Sequence, residues 1–149
     1  MDHKIHNLRT KVYRMALKEK ILAVIGGMHV GAIATVTEGK PAVRYMALTG
    51  FDDLTLVGAT MKESRKVGQI KNIPDVALSI WSCKEFSDPY VVIQAKGTVH
   101  EDTGTKKKYW NPMYEQYFQN PENPAYVVLK FVPQKIEYYH DNTMDIWEK

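Results

Sequence analysis

Seven short segments rich in β-branched and aromatic residues follow one another, most of them with little sequence in between. They are residues 30–36, 42–48, 54–60, 76–81, 90–99, 126–132 and 135–139. In residues 90–99, Val91, Ile93 and Ala95 alternate with Val92, Gln94 and Lys96, which is the period of a strand with one buried face. Short turns such as residues 38–41 join antiparallel strands, whereas parallel strands need long crossovers. The order therefore predicts a mainly β fold, either an antiparallel sheet or a closed barrel, and a closed barrel would remove the exposed edges of a long meander.

Three segments have the character of peripheral helices: residues 10–25, 62–71 and 106–118. In the first, Tyr13, Leu17 and Ile21 recur at helical spacing, and Gly26 follows as a stop signal. No linker, repeat or low-complexity stretch interrupts the 149 residues. The sequence thus predicts one domain over residues 1–149, of a size that buries a single core.

Composition bears mainly on location and partners. No apolar run approaches the length of a membrane span, and the first residues lack the apolar core of a secretory signal. The single cysteine, Cys83, favours a reducing cytoplasm. The run Lys106–Lys108 beside Tyr109 and Trp110 would suit single-stranded nucleic acid. We prefer to interpret these lysines as the solvated face of a helix, so nucleic acid is not an expected partner.

Several common catalytic and metal sites lack their motifs in this sequence. It contains no G-x-x-x-x-G-K or G-x-G-x-x-G phosphate turn, no C-x-x-C pair, no H-E-x-x-H and no G-x-S-x-G. His140 and Asp141 are adjacent in sequence, which does not make a catalytic pair. The pattern therefore predicts no metal site and identifies no catalytic residue.

The most informative segment joins a predicted strand to a predicted helix. The strand ends at Thr60, and Ser64, Arg65 and Lys66 stand at the start of the helix. The first N–H groups of a helix lack partners and its dipole is positive there, so anions bind readily. With Arg44 on a neighbouring strand, the cluster matches a phosphate dianion. The alternative is a capped helix start with two exposed cations, and the residues alone leave both open.

This segment resembles a known family. Residues 60–76, TMKESRKVGQIKNIPDV, are similar to the T-x-x-x-S-R-K-x-x-Q-I-x-N-x-P-x-V signature of pyridoxamine 5′-phosphate oxidases. Upstream, residues 44–48, RYMAL, resemble that family's R-x-V-L-L strand. Residues 126–139 are similar to the closing strands of its short bacterial, general stress protein-like branch.

The resemblance implies an FMN-binding split β-barrel that forms a homodimer, with one FMN in each of two clefts between the subunits. It implies that Ser64, Arg65 and Lys66 hold the FMN phosphate with Thr60 beside them, and that the strand beginning at Arg44 lies along the flavin ring. The cofactor-binding residues implied in this way are Arg44, Tyr45, Met46, Ala47, Ala59, Thr60, Ser64, Arg65 and Lys66.

The sequence also departs from the oxidase. Its only arginines are Arg9, Arg14, Arg44 and Arg65, so the later arginines that grip a substrate phosphate in the oxidase are missing. Thr49 replaces the lysine that follows the R-x-V-L-L strand. We therefore expect a flavin-dependent oxidoreductase acting on an unidentified small molecule rather than a true pyridoxamine 5′-phosphate oxidase.

Three alternatives stay open at this point. The protein would be a non-catalytic FMN carrier or electron-transfer module, a split barrel that binds haem or a deazaflavin, or a barrel with an empty cleft that serves only for protein interactions. No histidine stands where the sequence argues for an axial ligand, which ranks haem low.

Overall fold

The computed structural model describes residues 2–149. Seven strands and four helices follow one another along the chain. They are α1 (His3–Ile25), β1 (Gly27–Thr37), β2 (Lys40–Gly50), β3 (Leu56–Met61), α2 (Arg65–Asn72), β4 (Asp75–Trp81), β5 (Tyr90–His100), α3 (Thr103–Lys108), α4 (Glu115–Phe118), β6 (Tyr126–His140) and β7 (Thr143–Glu148). A 3₁₀ turn, Pro112–Tyr114, lies between α3 and α4.

The strands form a closed antiparallel barrel. Their order is β3-β2-β1-β4-β5-β6-β7, and a further pairing of β3 with β6 closes a ring of six. The first half of β6 pairs with β3, and its second half pairs with β7, which lies outside the ring. Each ladder is antiparallel. The predicted mainly β barrel with peripheral helices is confirmed.

The barrel is split between β2 and β3. Their ladder consists of two pairs, Thr49↔Val57 and Gly50↔Leu56, and the outer edge of residues 41–48 has no strand partner among the described residues. The two strands touch closely once more at Gly58, where a Cβ would lie 3.0 Å from the carbonyl oxygen of Ala47. No ladder pair joins the two strands beyond that contact, and α2 follows β3 along the chain.

The barrel interior is filled by alternate residues of every ring strand and is closed by helices. Leu17, Ile21 and Ile25 of α1 and Val67 and Ile70 of α2 are buried in the same cluster as the barrel side chains. Each such side chain contributes about 1.5–3 kcal/mol when it is fully removed from water. The first half of α1 is different, because residues 2–16 are all exposed.

A second, smaller cluster covers the outer face of β3 and β6. Val57, Phe118, Tyr126 and Val128 are buried there, and aromatic side chains of the segment between α3 and α4 pack against them. The Trp110 ring meets the Tyr126 ring edge-on at 5.3 Å between centroids. Both faces of the first half of β6 are therefore buried, one toward each cluster.

Two predictions about residues 106–118 are wrong. It is not one helix, because Pro112 cannot donate a helical hydrogen bond, and the side chain of Asn111 starts a new 3₁₀ turn by accepting from the Met113 N–H at 2.9 Å. Its lysines are not all solvated either. Lys106 is only 5% exposed, and its Nζ donates to the carbonyl of Asn123 at 2.9 Å beneath the Tyr126 ring.

The prediction of two separate strands near the end of the chain is also wrong. Residues 126–132 and 135–139 are one bent strand rather than two, because a bulge between Pro133 and Lys135 absorbs the proline, whose nitrogen has no proton for the ladder. The last strand is β7, which the sequence prediction omitted.

Two helices begin at other residues than predicted. The first, α1, begins at His3 rather than at residue 10, and α2 begins at Arg65 rather than at residue 62. Within residues 2–149, no helix is both long and apolar enough to cross a membrane.

Candidate anion-binding site

A cavity of about 470 Å³ lies between the end of the β1–β2 hairpin and the start of α2. Its walls come from the β1–β2 hairpin on one side and from the first turns of α2 on the other. The lining residues are Thr37, Ala42, Val43, Arg44, Arg65, Lys66 and Gln69. Three of these seven side chains are cationic, and none is acidic.

Arg44 is held in place by two neutral neighbours. Its Nη1 donates to the hydroxyl of Thr35 at 2.8 Å, and its Nη2 donates to the side-chain oxygen of Gln69 at 2.9 Å. The Thr35 hydroxyl itself donates to the same Gln69 oxygen at 2.6 Å. A guanidinium carries five N–H donors, so these bonds fix its plane while its charge stays unneutralised.

The start of α2 presents backbone donors to the same region. Ser64 precedes the helix in an extended conformation and makes no side-chain capping bond. Its hydroxyl lies instead 3.3 Å from the hydroxyl of Thr60, at the end of β3. The first N–H groups of the helix are thus left without a side-chain cap, close to the side chains of Arg65 and Lys66.

The cluster is electrostatically unpaired. Among the ion pairs formed within residues 2–149, none includes Arg44, Arg65 or Lys66. Burial lowers the pKa of Lys66 below its ordinary value, and the neighbouring charge of Arg44 lowers it further. Burial, followed by the charge of Arg65, likewise lowers the pKa of Arg44. Burial and a neighbouring positive charge therefore both destabilise the charged forms of Lys66 and Arg44, which is the condition that a bound anion relieves.

The structure brings some of the predicted cofactor-binding residues together and separates others. Arg44, Arg65 and Lys66 line one cavity, with the Thr60–Ser64 pair adjacent in sequence to α2. The side chain of Met46 instead lies in the barrel core. Ala59 packs against the second cluster, so its methyl group also points away from the cavity.

The two remaining predicted residues lie on the outer surface of β2. Tyr45 is 79% exposed and Ala47 is exposed. Their side chains therefore face solvent in the single chain, while the unpaired edge of the same strand leaves backbone groups of β2 accessible at the split.

Sequence reasoning missed the two residues that orient Arg44. A signal for Gln69 was present, because it stands four residues after Arg65 and three after Lys66, the spacing that puts side chains on one face of a helix. Thr35 gave no comparable signal. It faces Ala42 in the β1–β2 ladder, and its closeness to Arg44 depends on the register of that hairpin.

Residues 17–140 match the sequence pattern of the family described as pyridoxamine 5′-phosphate oxidase. The chain belongs to this family. The match covers the signature-like run of residues 60–76, so the resemblance noted from the sequence is confirmed.

Two general stress proteins are similar to this member of the pyridoxamine 5′-phosphate oxidase family. General stress protein 26 of Bacillus subtilis is 35% identical over 121 residues, which are 80% of this chain and 86% of that protein. The crystal structure of general stress protein 26 from Bacillus anthracis is 30% identical, has a TM-score of 0.76, and covers 89% of this chain and 98% of its own.

Other structures with the same fold differ in what they bind. A pyridoxamine 5′-phosphate oxidase-related, FMN-binding protein from Nostoc punctiforme is 14% identical, with a TM-score of 0.65 over 93% of this chain and 86% of its own. An F420 reductase is 21% identical, with a TM-score of 0.63 over 77% and 94%. A heme-binding protein from Mycobacterium smegmatis is 13% identical, with a TM-score of 0.68 over 88% and 56%. At these identities the likeness concerns the fold alone.

Proposed function

We propose that residues 1–149 form a single-domain, cytoplasmic flavoprotein that binds FMN and acts as a homodimer. The observation that carries this proposal is the cluster of Arg44, Arg65 and Lys66 around one cavity, without a carboxylate among its lining residues. Such a cluster is costly in the folded chain unless an anion neutralises it. A phosphate monoester is the anion that best fits two guanidinium groups, an ammonium and free backbone donors.

The chemistry of the donors supports a phosphate rather than a carboxylate. A guanidinium donates two parallel hydrogen bonds to phosphate oxygens, and an ammonium adds a compact charge. Helix N-termini add N–H groups and a positive dipole end. Hydrogen bonds to charged groups contribute about 1.5–3 kcal/mol each, so three or four of them account for firm binding of a mononucleotide.

The unpaired edge of β2 supports a flavin as the group attached to that phosphate. Residues 45–48 continue β2 beyond Arg44 with one backbone edge unpaired, so their alternating N–H and C=O groups are available to a ligand with donors and acceptors on its rim. The pyrimidine edge of a flavin has that character. Bound FMN would supply the redox chemistry, while this chain binds and orients it. Membership of the pyridoxamine 5′-phosphate oxidase family favours FMN over other phosphates.

The outer face of the β1–β2 hairpin supports a homodimer. Val30, Val43 and Tyr45 share this face and are 66%, 71% and 79% exposed. An apolar patch of this kind on a regular sheet is typical of an interaction surface. Because it lies on the same strands as Arg44, a second copy seated there would also supply a wall to the flavin site.

The proposed reaction is not that of pyridoxamine 5′-phosphate oxidase. After Arg65 the sequence contains no arginine, so a second phosphate, that of the substrate, lacks its usual partners. We propose an oxidoreductase acting on a different small molecule. A non-catalytic FMN carrier is the second candidate, and it is favoured by one observation: the titratable side chains lining the cavity are all cations and include no general acid or base suited to neutral pH.

A flavin titration tests the proposal. We expect FMN to bind more tightly than FAD or riboflavin by a wide margin, with a flavin spectrum that changes on binding. Equal affinity for riboflavin would contradict the phosphate argument, and tighter binding of haem or a deazaflavin would replace FMN. Reduction of the bound flavin by a nicotinamide cofactor, followed by reoxidation with added acceptors, would favour the enzyme over the carrier.

A further inference from the structure

The first half of α1 carries an apolar stripe that no other part of residues 2–149 covers. Ile5, Leu8, Val12 and Met15 stand three or four residues apart, which is the spacing of one face of a helix. These four side chains are between 51% and 66% exposed. A groove of about 570 Å³ runs along the stripe, and it is lined by Lys4, Ile5, Leu8, Arg9, Val12 and Tyr13. Large apolar side chains exposed in a row mark an interaction surface.

The apolar stripe points away from the barrel. Leu8 and the buried Leu17 are nine residues apart, which is two and a half turns, so they lie on opposite sides of α1. The same separation relates Val12 to the buried Ile21. Glu19 stands on the side of the stripe one turn after its last apolar residue and so ends it. One side of α1 therefore closes the barrel, and the opposite side of its first half faces outward.

The same part of α1 is basic. Residues 3–18 contain five lysines and arginines and no carboxylate. Helical spacing places Lys4 and Lys11 along one flank of the apolar stripe and Arg9 along the other. Among the ion pairs formed within residues 2–149, none includes one of these three cations. Long basic side chains in such positions lay their stems along apolar surface and hold their charges at its rim.

Charge and apolarity together select the partner. A second copy of α1 laid against the stripe would bring five like charges to the same surface and would be repelled. A nucleic acid would match the cations through its phosphates, but it offers no apolar layer for Leu8 and Val12. An anionic lipid bilayer offers both, because it presents phosphate groups above a layer of acyl chains.

We propose that the first half of α1, residues 3–16, docks on an anionic phospholipid surface with the helix axis in the plane of that surface. The apolar stripe enters the boundary between headgroups and acyl chains, while the flanking cations pair with lipid phosphates. The helix lies on the bilayer and does not cross it, since no helix in the described part of the chain is long and apolar enough to span one. The docking does not depend on FMN binding, because no residue of α1 lines the cavity of Arg44.

Vesicle sedimentation with the full chain tests the proposal. Vesicles of phosphatidylcholine alone are compared with vesicles in which about one third of the lipid is phosphatidylglycerol. We expect the anionic vesicles to bind at least about tenfold more tightly, because each lysine or arginine near an anionic surface contributes about fivefold. Raising the salt concentration should weaken this binding. Equal binding to both kinds of vesicle, or no binding to either, would overturn the proposal.

Paired charge variants locate the surface. Arg9→Gln with Lys11→Gln should weaken binding to anionic vesicles about twentyfold. The matched control, Lys40→Gln with Lys84→Gln, removes the same charge at exposed positions outside α1 and should stay within about twofold of the parent. An equal loss in both pairs would show a response to net charge alone and would contradict docking through α1.

Variants at constant charge test the apolar stripe. Leu8→Gln should weaken vesicle binding several-fold and leave the melting temperature unchanged, because this side chain is exposed. The matched control Met113→Gln changes a similarly exposed side chain outside α1 and should bind like the parent. Deletion of residues 2–12 removes most of the stripe and its flanking cations and should abolish binding. Parental binding in Leu8→Gln and in the deletion variant would refute the docking surface.

Other occupants of the apolar stripe have their own measurable outcomes. Without vesicles, light scattering should give the same mass for the parent and for Leu8→Gln. A lower mass for Leu8→Gln would identify the stripe as an interface between copies and would contradict lipid docking. Binding of a single-stranded oligonucleotide by the parent, without binding of anionic vesicles, would identify a nucleic-acid surface and would likewise overturn the proposal.

Discussion

Removing the charge of Arg65 or Lys66 should weaken FMN binding without destabilising the chain. Both side chains line the cavity beside Arg44, and neither forms an ion pair with a carboxylate among residues 2–149. Loss of hydrogen bonds to a charged phosphate costs about 1.5–3 kcal/mol, which is roughly a ten- to hundredfold loss of affinity. Arg65→Ala should lose more than Lys66→Ala, because a guanidinium engages two phosphate oxygens at once.

The same substitution of Lys66 that weakens FMN binding should leave the stability of the ligand-free chain unchanged or increase it. Lys66 is destabilised by its own burial and by the charge of Arg44, so replacing it relieves a repulsion. We expect the melting temperature of ligand-free Lys66→Ala to equal or exceed that of the parent. Added FMN should then raise this temperature less than in the parent, since stabilisation by a ligand follows its affinity.

The assay is a titration of FMN and riboflavin into parent, Arg65→Ala, Lys66→Ala and the control Lys62→Ala. Lys62 carries the same charge close by in sequence, but it pairs with Glu101 at 2.9 Å and does not line the cavity. Lys62→Ala should keep parental FMN affinity. Riboflavin, which lacks the phosphate, should bind all four proteins almost equally. Parental FMN affinity in both cavity variants, or an equal loss for riboflavin, would refute a phosphate site.

Three further outcomes are expected. Light scattering of the FMN-bound protein should give about twice the 17.1 kDa of one chain, and a mass of 17.1 kDa at micromolar concentration would contradict the homodimer. FMN affinity should fall as pH rises through the lowered pKa of Lys66, because the ammonium then loses its proton earlier than an ordinary lysine; titrations of Lys66→Arg, which stays charged, should remove this dependence. Deleting residues 2–12 should shift the melting temperature by only a few degrees, because residues 2–16 are exposed and the Tyr13–Asp145 hydrogen bond is retained; a large loss would show that these residues stabilise the barrel.

The barrel was predictable from sequence because its signals are local. Alternation in residues 90–99 predicts one strand, and the turn at residues 38–41 predicts one hairpin. The need to protect strand edges favours closure, and the family resemblance implied the barrel. The split was not predictable in this way. It depends on a ladder of β2 and β3 that stops after two pairs, which is a property of register and of the path of α2.

The errors share a physical origin in tertiary contacts that override local preference. Lys106 belongs to a lysine run that is typical of the solvent-exposed face of a helix. Its ammonium instead donates to the carbonyl of Asn123 and lies over the Tyr126 ring, beside the second cluster. Pro133 reads as a strand break, but a bulge lets β6 continue past it. β7 is short and mostly exposed, so its sequence lacks the alternation of buried and exposed residues that predicts a strand. Its strand conformation depends on pairing with β6.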